Sequence, residues 1–209
     1  MKPVIAIDGP AGSGKGTIAR RLAEYWKFAY LDTGLLYRLV AYSNMESLKE
    51  ATIATLMKLL AEVPDDVLRS EEVGSKASAI AKLPQVRETM TALQRRFIAD
   101  PGAKGSVLDG RDIGTVVAPS AECKLFITAD VETRAKRRFD ILKQNNFQIT
   151  LAEICKKLKA RDKQDRSRKN APLTFTKDYI LIDTTNDTPE ESIEKAICAS
   201  KKLLRQFIS

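Results

Sequence analysis

Residues 9 to 17 read Gly9-Pro10-Ala11-Gly12-Ser13-Gly14-Lys15-Gly16-Thr17 and follow directly on the apolar run Val4-Ile5-Ala6-Ile7. The glycines free the backbone to curl so that successive N–H groups converge on one anion, and a helix starting behind them adds the positive end of its dipole. An apolar strand, a glycine turn with the spacing GxxxxGK and a helix, in that order, form a phosphate-binding loop. Lys15 brings a point charge to the outer phosphates of a nucleoside triphosphate. The hydroxyl that usually follows the lysine is displaced by one position, to Thr17, so an Mg²⁺ here is expected to be held loosely, mostly through water and substrate phosphates.

The absence of histidine from the 209 residues removes every mechanism that needs an imidazole base and most zinc chemistry. Phosphoryl transfer survives that exclusion, because it relies on positioning and charge neutralisation. The formal net charge of +8 fits polyanionic small molecules as well as nucleic acid. The cations, gathered at Arg134 to Arg138 and Lys156 to Lys169, are interleaved with acids and carry no aromatic stacking platform, which argues against a nucleic-acid partner. No apolar run approaches the roughly 18 residues of a membrane span. The chain enters a strand almost at once, leaving no room for a leader, and Cys123, Cys155 and Cys198 form no metal or redox spacing, so a cytoplasmic protein is expected.

Apolar runs at Val4 to Ile7, Phe28 to Leu31, Ser106 to Leu108, Lys124 to Ile127 and Tyr179 to Ile182 alternate with helical periods. This predicts an α/β fold, a parallel sheet of about five strands flanked by helices, with ligands at the carboxyl ends of the strands. Asp32-Thr33-Gly34 and Asp109-Gly110-Arg111-Asp112 fall there together with the loop. Leu35 to Leu60, Ser70 to Leu83 and Gln85 to Ala99 read as helices with Pro64 and Pro84 as breakers, and the whole stretch is too long for a simple crossover. Asn145 to Pro172 is rich in Lys, Arg and Asp and poor in large apolar residues after Leu158, so little of it should bury. Helices are also expected over Val131 to Lys143 and, behind an N-cap at Thr188, over Pro189 to Phe207.

Arg161, Asp165 and Arg168, spaced i, i+4 and i+7, share one face of a helix; they are either a surface ion-pair ladder or a grip on phosphate and sugar. Arg134 and Arg138 form a second i, i+4 pair, suited to a purine face and transferring phosphates or simply to solvent. Arg38, one turn after Thr33, reaches an acceptor phosphate or a surface partner. Asp112 can accept from the exocyclic amine of cytosine, which uracil lacks, while Arg87 and Ser78 can donate to ring N3 and O2, although Ser78 taken singly reads first as a helix surface residue.

Gly-Lys-Gly-Thr after the loop resembles the nucleoside monophosphate kinase branch of P-loop proteins. Ile7-Asp8-Gly9-Pro10 through Thr17, Leu31-Asp32-Thr33-Gly34 with Tyr37-Arg38, Pro84 with Val86-Arg87-Glu88, Asp109 through Thr115, and Arg161-Asp162 to Pro172 together resemble the bacterial cytidylate kinase family over nearly the whole chain. The resemblance implies transfer of the γ-phosphoryl group of ATP, with Mg²⁺, to CMP or dCMP, the alternative being UMP or another small acceptor. It implies one P-loop NTPase-type kinase domain over residues 1–209. The core would be 1–40, 100–144 and 173–209, with a helical flap for the monophosphate at about 41–99 and a mobile, arginine-rich lid at about 145–172. By the same resemblance Thr33 and Arg38 contact the acceptor, Arg111 lies beside its phosphate, and Ser78, Arg87 and Asp112 read cytosine. Asp165 and Arg168 hold sugar and phosphate, Lys15, Arg161 and Arg138 serve catalysis, and Arg134 with Arg138 lies on the ATP side. A monomer is expected. Many family members carry a longer insert with a short sheet between Ala41 and Arg69, where this chain shows a helical pattern over Met45 to Val63 and no hairpin signal.

Overall fold

The computed structural model describes residues 2–43, 52–144 and 149–207. Five strands, β1 (Val4–Asp8), β2 (Ala29–Asp32), β3 (Ser106–Gly110), β4 (Cys123–Thr128) and β5 (Ile180–Asp183), form one all-parallel sheet in the order β2-β3-β1-β4-β5. Strand β1 is central and buried throughout, and its side chains alternate between two cores. Val4 and Ala6 pack with Leu36, Leu39, Met90 and Leu108 on one face, while Ile5 and Ile7 pack with Ile18, Leu22, Leu125 and Ala196 on the other. Helices α1 (Lys15–Trp26) and α9 (Pro189–Leu204) cover the second face.

The five expected strands all form, each at or within two residues of its expected end. The long helix expected over Leu35 to Leu60 does not. Helix α2 spans Thr33–Ser43, and a separate α3 (Ile53–Glu62) begins at Thr52, whose extended backbone (φ −103°, ψ 158°) interrupts any continuous helix while its hydroxyl accepts from Thr55 N at 3.0 Å. Residues 44–51, part of that reading, lie outside the described residues. Pro64 precedes a single turn, α4 (Asp65–Leu68); Ser70 caps α5 (Glu71–Ile80); Pro84 is the first residue of α6 (Pro84–Ala99), where its missing N–H costs nothing.

After α7 (Val131–Gln144), a reciprocal cap between Thr150 and Glu153 starts α8 (Leu151–Ser167). This segment buries more than its composition suggests: Ile154 and Leu158 close onto Ala135 of α7. Thr188 caps α9 as expected, again with a capping box, and a 3₁₀ turn follows at Arg205–Phe207.

Candidate active site

The loop leaves β1 through Gly9, at φ 151°, where a Cβ would lie 1.9 Å from the carbonyl oxygen of Ile127. Only glycine fits this approach to β4. Gly14, left-handed at φ 87°, is the N-cap of α1; no side chain caps that helix and no acid occupies its first turn, so it presents free positive dipole to the loop. Lys15 is buried and donates to the carbonyl of Pro10 at 2.7 Å. Burial, reinforced by Arg111 and Arg161, drives its pKa down to about 7, so an anion placed here regains a full charge–charge attraction. The loop opens onto a cavity of about 550 Å³ that Gly12, Lys15, Thr17, Arg137 and Arg138 help to line. Asp32 and Asp109, at the ends of β2 and β3, flank the same region. Burial and then Asp32 push Asp109 up to about 7. Two crowded carboxylates beside an exposed Thr17 hydroxyl are hard oxygen donors suited to a magnesium ion. No group of three or more His, Cys, Asp or Glu side chains forms a metal cage among the described residues, so such an ion would lean on nucleotide phosphates.

A second, smaller cavity of about 70 Å³ lies between α2, α5, α6 and α8, and all eight acceptor-side candidates line it together with Arg161. Thr33 donates to the carbonyl of Asp109 at 2.7 Å, tying the start of α2 to the end of β3. Arg38 is fixed by the carbonyls of Leu68 and Ser70 at 2.7 and 3.0 Å, and burial, with Arg138 and Arg69 nearby, lowers its pKa to about 10. Arg111 donates to Asp165 at 2.8 Å. Burial alone would raise Asp165; Arg111 and Arg161 outweigh it and hold the carboxyl below its ordinary range. Asp112 accepts from both Arg87 and Arg168, the latter at 3.3 Å. Arg161 lines both this cavity and a small one reaching Ala11 of the loop, and its buried Nε has no hydrogen-bond partner. Burial and Arg111 lower its pKa to about 10. A phosphate group placed there would satisfy that donor and relieve the repulsion among the arginines.

Two expectations change. Arg168 is not on the face of α8 that carries Arg161 and Asp165: it is extended (φ −65°, ψ 139°) just past the helix, and reaches Asp112 from there. Arg134 is not open to a purine. It is 4% exposed, donating to the carbonyls of Ala129 at 2.9 Å and Ala11 at 3.0 Å and to Asp162 at 2.6 Å, so it ties the loop to α8. Arg138, by contrast, lines the loop cavity while donating to Glu71 at 2.5 Å across to α5.

Sequence reasoning meets Asp8 and Asp162 only within the family motifs and assigns no role to them or to Arg137. Asp8 is fully buried and accepts from Ile113 N and Gly114 N, each at 2.9 Å, and from the Tyr179 hydroxyl at 2.6 Å. It thereby anchors the π-helical turn Ile113–Val117 immediately after Asp112. Besides that motif, the signal for Asp8 is a carboxylate closing an otherwise apolar strand. Arg137 donates to the Thr184 hydroxyl at 2.9 Å and edges the loop cavity.

A phosphate loop at the end of a central parallel strand, with a second cationic pocket sharing an arginine with it, defines a P-loop phosphotransferase. Solved structures support the fold: a protein from Thermus thermophilus, TT1252 (TM-score 0.54, 21% identity, 96% of each chain), and a shikimate kinase from Bacteroides thetaiotaomicron (TM-score 0.51, 14% identity, 97% of this chain and 98% of that one). The chain belongs to the cytidylate kinase family, whose model matches residues 5–202. The cytidylate kinase of Cereibacter sphaeroides (strain KD131) is 47% identical over 197 residues, 94% of each chain. That of Rhodospirillum rubrum is 42% identical over 202 residues, 93% of this chain and 95% of its own.

Proposed function

We propose that this protein transfers the γ-phosphoryl group of ATP to CMP or dCMP, giving ADP and the corresponding diphosphate. The observation that carries the reading is Arg161, whose unpartnered, buried Nε stands where the acceptor pocket approaches the phosphate loop. The acceptor phosphate is already ionised at neutral pH, so the reaction needs no general base and the missing histidine is no obstacle. Residues Gly9 to Thr17 cradle the triphosphate, and Lys15, Arg138 and Arg161 offset charge spreading over the transferring group. Arg134 supports the loop by way of Ala11. Arg38 and Arg111 hold the acceptor phosphate, Thr33 stands beside it with its hydroxyl tied to the Asp109 carbonyl, and Asp165 and Arg168 hold the sugar. Ser78, Arg87 and Asp112 read the base, with Asp112 accepting from the cytosine amine; the uracil carbonyl would meet a carboxylate there, which disfavours UMP. Bound with ATP, Mg²⁺ would add charge neutralisation, held by phosphates, by Asp109 and Asp32, and by Thr17 through water.

The residues of α3 to α6 act as a monophosphate flap and α8 as a lid whose closure excludes water. The enzyme works as a cytoplasmic monomer without nucleic acid. No helix among the described residues is long and apolar enough to cross a membrane, and the three cysteines are unpaired. The test is an ADP-release assay with Mg²⁺ and ATP across CMP, dCMP, UMP, AMP and shikimate. Turnover with the two cytidine nucleotides well above the others is expected. Absence of turnover with both overturns the assignment.

A further inference from the structure

One contact between α5 and α8 plays no part in the chemistry above. Gln164 Nε2 lies 2.6 Å from Ser78 Oγ and 3.3 Å from the Ser78 carbonyl oxygen. The carbonyl can only accept, so the Gln164 atom facing it is the amide nitrogen, which donates and cannot accept. Ser78 Oγ therefore accepts from Gln164, and its own proton must point elsewhere. The usual alternative for a helical serine is the carbonyl one turn back, as Ser75 shows by donating to Glu71 O at 2.9 Å. Ser78 makes no such bond among the described residues, and it lines the acceptor pocket with Arg87 and Asp112. Gln164 itself stands behind Ser78 and does not line that pocket.

The geometry points to Gln164 as a positioning residue that turns the Ser78 hydroxyl into a fixed donor at the base end of the pocket, and so sets the choice between cytosine and uracil at ring N3. Cytosine N3 carries a lone pair and accepts this proton. Uracil N3 carries a hydrogen, so donor meets donor and a buried pair of polar groups goes unsatisfied. Asp112 and Ser78 then read two adjacent ring positions, one as acceptor and one as donor. The inference rests on the function proposed above and on Ser78 facing the base.

The experiment compares kcat/KM for CMP and UMP in the wild type, Gln164→Ala, Gln164→Glu, Ser78→Ala and the double variant Ser78→Ala with Gln164→Ala. A carboxylate at 164 can only accept, so Ser78 would donate to it and show a lone pair to the pocket. Gln164→Glu should cut the CMP:UMP ratio by about tenfold or more, mainly through KM, with kcat/KM for UMP rising in absolute terms, a gain that a damaged fold does not produce. Gln164→Ala, which frees the hydroxyl without inverting it, should cut the ratio by about threefold, and the double variant should match Ser78→Ala. If both Gln164 variants keep the wild-type ratio, or lose activity equally for the two nucleotides, while Ser78→Ala shifts it, the role of Gln164 is overturned and the base-site reading stands. If Ser78→Ala leaves the ratio unchanged as well, Ser78 does not face the base and both fall.

Discussion

Asp112 stands between two guanidiniums, and its removal gives the sharpest test of how the acceptor pocket is held. Its side chain is 10% exposed, and those of Arg87 and Arg168 are 9% and 7% exposed. Asp112→Ala leaves both cations buried without their shared counter-charge. Removing one partner of a buried ion pair costs about 3–5 kcal/mol; the pocket lets water reach one side of this cluster, so the lower end, about 3 kcal/mol, applies. For a chain of this size each kcal/mol moves the melting temperature by about 2–4 °C, so a fall of about 6–12 °C is expected in scanning calorimetry without nucleotide. The exposed pair Lys76–Glu72 supplies the control: Glu72→Ala should leave the melting temperature within about 1 °C. In the acceptor assay Asp112→Ala should also lose most of its preference for CMP over UMP. A melting temperature within about 2 °C of wild type would refute the reasoning, because the two arginines would then be adequately solvated without Asp112.

Arg161→Ala should lower turnover at saturating ATP and CMP by about 10³-fold or more, and near-normal turnover would place the transferring phosphoryl group away from this arginine. Gly9→Ala would drive a methyl group into the Ile127 carbonyl at 1.9 Å, so the variant should melt well below wild type and lose ATP binding in a thermal-shift titration; an unchanged melt would show that the loop can move away from β4. Asp165, held below the ordinary carboxylate value of 3.8, contributes stability that is complete above that pH and is lost as pH falls through its lower folded-state value. Asp165→Asn should therefore flatten the acid side of the melting-temperature profile, and an acid limb identical to wild type would count against the Arg111–Asp165 pair as its source.

Much of the site was readable because its signals are local. A glycine at a fixed spacing from a lysine needs no partner elsewhere in the chain to make a phosphate cradle, and short apolar runs separated by helical periods specify strands that must lie parallel. Polar residues at strand ends then fall on one edge, so the sequence alone places Thr33, Arg111 and Asp112 beside the loop. Arg161 and Asp165 were legible as a helical pair. Arg168 was misplaced onto their face, because spacing does not reveal where a helix stops. The helix start at Thr52 is hidden for a related reason: threonine has a weak helix preference, and only its hydroxyl on Thr55 N marks it as a cap.

Local pattern thus settled the sheet, the loop and the residue types that meet phosphate, since each depends on backbone conformation or periodicity within a few positions. The partner of each buried polar group was left to the folded chain. Asp8 finds Ile113 and Gly114 more than a hundred positions away, Arg134 joins Ala11 to Asp162, and Gln164 meets Ser78 across 86 positions. Those contacts form because strand order and helix packing bring distant donors and acceptors into a space where water cannot satisfy them. The same packing turned an arginine that looked free for nucleotide into a strut beneath the loop.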